Sequence, residues 1–99
     1  MAIRSDGGPY DLSAVAIVGT TDVRNAQSFG VYLKGITGGG SVTIEASPDG
    51  GLTWVAIGAA RTADVMVTVT DLWDYVRLNV GTGKASATGW VKRLVNGYV

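Results

Sequence analysis

The chain of 99 residues has no cysteine and no histidine. Without cysteine, neither a disulfide framework nor a thiolate metal site is possible. The two absences together remove the commonest general base and the best nucleophile from any catalytic scheme. Charge is scarce as well. Eight basic and eight acidic side chains cancel, and charged residues make up 16% of the chain. The densest basic group is Lys92-Arg93, with Lys84 upstream. That is too few cations to track a phosphate backbone, so no direct nucleic-acid partner is expected. Apolar runs reach only about five to six residues, against the ~20 that span a bilayer, so no membrane partner is expected either. The start, MAIRSDGGPYDLS, lacks a basic region followed by an apolar run. It implies a soluble chain made in a cytosol without a signal peptide.

Helical periodicity is also missing. Fifteen glycines punctuate the chain, and no window repeats apolar residues at i, i+3, i+4 and i+7 over three turns. What is present is alternation. Ser28 to Ile36 sets Phe29, Val31 and Leu33 on one face and Tyr32 and Lys34 on the other. Ser41 to Ser47 does the same with Val42, Ile44 and Ala46 against Thr43, Glu45 and Ser47. Val65, Val67 and Val69 alternate with Met66, Thr68 and Thr70; Val76, Leu78 and Val80 follow within Tyr75 to Val80. Shorter runs at Val15 to Val18, Thr53 to Ile57 and Trp90 to Val95 complete the set. Such strands at roughly 8–12-residue spacing spell an all-β antiparallel β-sandwich, jelly-roll-like, of about seven to eight short strands. The expected organisation is an N-terminal arm over 1–14, marked by Asp6-Gly7-Gly8-Pro9, and one sandwich domain over 15–99.

Apolar residues are 46% of the chain at zero formal net charge. So small a domain cannot hide all of that area within itself, and weak net charge favours association. The composition suits a subunit that buries part of its exterior against other chains.

The stretch ASPDGGLTW (46–54) carries the clearest motif, Ser-x-Asp-x-Gly-x-Thr-Trp, through Ser47, Asp49, Gly51, Thr53 and Trp54. It resembles the Asp-box of sialidases and other propeller proteins. There the box recurs once per blade; here it occurs once, in a chain too short for three blades. The physics is local. An aspartate accepts hydrogen bonds from turn amides, glycine supplies positive φ, and the tryptophan packs under the hairpin. Ser47, Asp49, Gly50, Gly51 and Trp54 are therefore expected to build a turn.

A broader pattern runs over about 41–95: SVTIEASPDGGLTWVAIG, then DLWDYVRLNV, then a closing strand. Ser47, Asp49, Gly50, Trp54, Tyr75, Val76, Arg77 and Leu78 resemble the pairing in discoidin-like jelly rolls. The pattern is similar, more closely, to small tailed-phage virion proteins of the decoration or cement kind. That resemblance implies a non-enzymatic virion subunit on the capsid exterior, synthesised in the host cytoplasm. Its partners would be the major capsid protein and other copies of itself, as a trimer or other symmetric cluster, with the arm reaching onto a neighbour.

Three side chains are candidates for the contact surface. Trp73 lies in the polar segment DLWD and is the tryptophan expected to be exposed. Tyr75 and Arg77 follow on the outward face of their strand. For Arg77 the competing expectation is an ordinary cross-strand pair with Glu45 or an aspartate.

Catalytic and ligand motifs fail one by one. VGTGKAS (80–86) lacks the first glycine, the Ser/Thr after lysine and a following helix that a phosphate loop needs. Asp71 and Asp74 sit where aspartates routinely break strands, and no Asp-x-Asp-x-Asp-Gly calcium loop is present. No catalytic residue, cofactor or metal is expected. The alternative function is a carbohydrate- or receptor-binding module of a head fibre or tail component, using Trp73 and nearby loops. Coplanar aromatics in a groove would favour it; a flatter patch would favour a cement protein.

Overall fold

A computed structural model describes residues 2–96, with side chains from 6 to 95. Eight strands form: β1 (Ala2–Asp11), β2 (Ala16–Asp22), β3 (Ala26–Lys34), β4 (Ser41–Ser47), β5 (Val55–Ala56), β6 (Val65–Val69), β7 (Tyr75–Thr82) and β8 (Thr88–Asn96). They make two antiparallel four-stranded sheets, β1-β8-β3-β6 and β2-β7-β4-β5. Every described strand pair is antiparallel, and no helix occurs among the described residues.

The pairing has a simple logic. β1 pairs with β8, β2 with β7, β3 with β6 and β4 with β5. The chain is thus one long antiparallel ribbon, doubled back at the β4–β5 turn and wrapped so that β3 also meets β8 and β4 meets β7. That is a jelly-roll sandwich. The ASPDGGLTW stretch is the tip of the ribbon.

Alternation decides which face is buried. Phe29, Val31 and Leu33 of β3 meet Val42, Ile44, Val76, Leu78 and Val80 of the other sheet in one core, each essentially sealed from solvent. Each such side chain contributes about 1.5–3 kcal/mol by leaving water. The accessible surface is 5352 Å², close to the about 5,300 Å² expected of a folded chain of this mass. The exposed apolar side chains described below are therefore not a product of loose packing.

Two expectations are corrected. The segment 1–14 was expected as an arm, yet within its described part Ala2–Asp11 is a full edge strand registered against β8 from Ala2↔Asn96 to Asp11↔Thr88. Leu12 is a core residue, sealed from solvent. No apolar alternation marks β1, because it is an edge strand with a register shift between Gly7 and Tyr10, held by backbone bonds. Met1 lies outside the described residues. β2 likewise continues past Val18 to Asp22, through a bulge at Gly19 whose φ is +68°. A Cβ at Gly19 would come within 2.8 Å of the Tyr10 ring, so β1 and β2 are locked across the sheet boundary at that point.

Candidate functional site

The turn at the ribbon tip is built as its residue types dictate. Asp49 Oδ1 accepts from the Thr53 amide at 2.9 Å, and Oδ2 from the Thr53 hydroxyl at 2.6 Å. These bonds, the hydroxyl first, hold the Asp49 carboxyl below its ordinary pKa. The buried Ser47 hydroxyl donates to Asp49 Oδ1 at 2.9 Å and accepts from the Gly51 amide at 2.8 Å. The Gly50 amide donates to Asp74 Oδ2 at 2.8 Å, tying the tip to the segment before β7. Gly50 and Gly51 have φ of +76° and +95°, a region L side chains rarely enter.

Beside the tip, on the outer face of the β2-β7-β4-β5 sheet, lies a polar cluster. Arg77 pairs with Glu45 in the β4–β7 register, and its Nε donates to Glu45 Oε1 at 2.8 Å. Asn79 Nδ2 donates to the other carboxylate oxygen at 3.4 Å. The Arg77 guanidinium covers the Trp54 ring at 4.0 Å from its centroid. Arg77 is therefore engaged within its own sheet, in the cross-strand pair that was its competing expectation.

At the same end, Asp22 and Arg24 form a fork-like pair at 2.6 to 3.2 Å. The Arg24 hydrogen bond takes the Asp22 carboxyl down to about 2. Arg24 also lies over Tyr75, 5.2 Å from its ring centroid. Tyr75 and Arg77 thus share one outward face but belong to separate cation–aromatic pairs.

Trp73 is not the exposed side chain of its loop. It is half-buried, packs against the core, and keeps its indole N–H buried without an acceptor among the described residues. Leu72 takes the outward position, 96% exposed. In a five-residue connection between sheets, Thr70 to Asp74, one side chain can fill the open end of the core, and the larger ring gains more by doing so.

Sequence reasoning missed two features. The first is the free edge of β6, which pairs with β3 and with no other strand among the described residues. Its five residues, VMVTV, carry neither charge nor proline. The other three sheet edges are guarded. β1 has a bulge and the Gly8–Pro9 step, β2 has a bulge, and β5 is two residues long. Asp64 anchors the start of β6, its Oδ1 accepting from the Ile36 and Thr37 amides at 2.9 and 3.2 Å. The second is the outer face of the β1-β8-β3-β6 sheet, where Tyr32 and Trp90 stack at 5.3 Å and Met66 is half exposed on the far side of Tyr32. The uncharged run at 65–69 was the available signal for the edge. No local signal says which strand lies outermost.

Val15, Ile17, Leu52 and Leu94 add to the exposed apolar surface. No cluster of three or more carboxylates able to hold a metal occurs among the described residues. No helix there is long and apolar enough to cross a membrane.

No protein-family model matches the chain. No curated protein matches it. Among solved structures it is similar to a chain of Bacillus endospore appendages, described as a novel family of disulfide-linked pili. The likeness has a TM-score of 0.52 at 25% sequence identity, and covers 95% of this chain and 82% of that one.

Proposed function

We propose that this chain is a non-enzymatic structural subunit of an extracellular assembly, built by association of its own copies. The observation that carries this reading is the likeness to a pilus chain along 95% of the sequence. The surface supports it. An uncharged free edge at β6 offers a row of unmet backbone groups, the usual template for pairing with another chain. Exposed apolar side chains supply area to bury, and at ~25 cal/mol per Å² a standard interface outweighs the cost of association. The appendage pili are disulfide-linked. This chain has no cysteine, so its copies would be held by edge pairing and apolar burial.

The finer form of the reading places those copies on the outside of a tailed-phage capsid, in contact with the major capsid protein. They would act there as a trimer or other symmetric cluster that stabilises the shell. Its support is the sequence resemblance at Ser47, Asp49, Gly50, Trp54 and Tyr75 to Leu78.

Sedimentation velocity and negative-stain microscopy of the purified chain at rising concentration test the assembly. Discrete oligomers or filaments are expected. The double variant Met66→Lys, Thr68→Lys, which charges β6 at exposed positions, should return the chain to monomers at unchanged thermal stability. A chain that stays monomeric at millimolar concentration would overturn the proposal. The capsid form has its own test: co-sedimentation with phage shells, and earlier rupture on heating of shells that lack the protein.

A further inference from the structure

We propose that β6 of one copy pairs antiparallel with β6 of a second, about a two-fold axis at Val67, so that two four-stranded sheets become one continuous sheet. This rests on the self-assembly reading above and adds the contact strand, its symmetry and its register.

The edge selects its own partner. β6 pairs with β3 and with no other strand among the described residues. The other three sheet edges are poor templates, since β1 and β2 carry register shifts and β5 has two residues. The regular, uncharged edge that can match β6 is therefore β6 itself. When both copies use the same surface, the contact is isologous and closes as a dimer.

The strand VMVTV is also complementary to its own reverse. With Val67 on the axis, Val67 meets Val67, Val65 meets Val69 and Met66 meets Thr68, each pair uncharged. Val65 and Val67 already pack on the core, so the pairing carries that apolar row from one copy into the other. A one-residue slip would set the inward row of one copy against the outward row of the other. A two-residue slip would shorten the ladder and bring Asp71 opposite Val65, or Asp64 opposite Thr68. In the proposed register those aspartates stand opposite Ala63 and Thr70.

The outer face agrees with this register. Thr68 and Gly30 line a groove of about 180 Å³. Met66 of the second copy, half exposed in a single chain, comes to stand beside Thr68 at the edge of that groove.

The lack of cysteine makes the test direct. Met66→Cys and Thr68→Cys each place one thiol at an exposed position of β6. Residues 66 and 68 of opposite copies would face each other at about 4.5–5.5 Å between Cα atoms, within disulfide reach. Two residues 66, or two residues 68, would lie on the diagonal at about 7–8 Å, beyond it. Oxidation of an equimolar mixture should give the mixed disulfide dimer, resolved by intact mass, in about tenfold or greater excess over either symmetric dimer. Sedimentation velocity and circular dichroism of wild type and both reduced variants read assembly and folding separately. Symmetric dimers as abundant as the mixed one overturn β6–β6 pairing in this register. Oligomers that persist in sedimentation without the mixed disulfide overturn it too, and leave the self-assembly reading standing. A wild-type chain that stays monomeric at millimolar concentration overturns both.

Discussion

Arg77 lies over Trp54, its guanidinium carbon 4.0 Å from the ring centroid, while its Nε donates to Glu45 across the sheet. One side chain thus joins the ribbon tip to the two central strands of its sheet. The side-chain exposures of Arg77 and Glu45 are 21% and 17%, so solvent screens this pair less than an open surface pair. Arg77→Lys keeps the charge but loses the guanidinium's contact with the ring and should cost about 0.5–1 kcal/mol. Arg77→Ala also strands the half-buried Glu45 carboxylate and should cost about 1–2 kcal/mol. Urea unfolding followed by tryptophan fluorescence checks both, and equal stability of Lys and wild type would remove the stacking argument.

Ser47 is the one buried polar residue of the core among the described residues, and its hydroxyl is committed in both directions, to Asp49 and from Gly51. Ser47→Ala leaves the Gly51 amide without its acceptor and should destabilise the fold by about 1–2 kcal/mol. The same variant should speed hydrogen exchange at the Gly51 and Thr53 amides before any change at β7.

Acid should weaken the fold within a defined window. Asp22 is depressed to about 2 by Arg24, and Asp11, Asp49 and Asp64 are depressed by hydrogen bonds from Ser13, Thr53 and the Gly35–Thr37 backbone. Unfolded aspartates titrate near ~3.9. Below that value the unfolded chain binds more protons than the native one, so protonation favours unfolding. Stability from these groups is fully present above about pH 4–5 and is lost as the pH falls toward 2. Thermal melts at pH 7, 5, 3 and 2 should show a plateau and then a fall, and Asp22→Asn should flatten the fall.

Leu78 is sealed between the sheets, against Leu12, Leu33 and the backbone at Gly89. A Cβ at Gly89 would already press on Leu78 at 3.0 Å, so the gap left by truncation cannot close from that side without moving β8. Leu78→Ala should therefore cost about 2–5 kcal/mol, read by chemical unfolding.

Legibility in the sequence followed burial. Strands with one face in the core, β3, β4 and β7, announce themselves through alternation, and their inward residues are the sealed ones. The ribbon tip was equally plain, because its bonds run between residues two to four apart. β1 was misread as an arm because an edge strand is held by backbone bonds to β8, which no side-chain pattern records. Trp73 was misjudged because its neighbours in sequence are polar while its neighbours in space are the core.

The sequence by itself determined the all-β class, the buried face of each central strand and the chemistry of the turn. Those depend on local alternation and on contacts spanning a few residues. Only the tertiary structure decided the wrapping of the ribbon, the exposed edge at β6 and the pairing of Arg77 with Trp54 and Glu45. Those depend on which distant segments meet when two sheets close over one core, and a one-dimensional pattern does not carry that information.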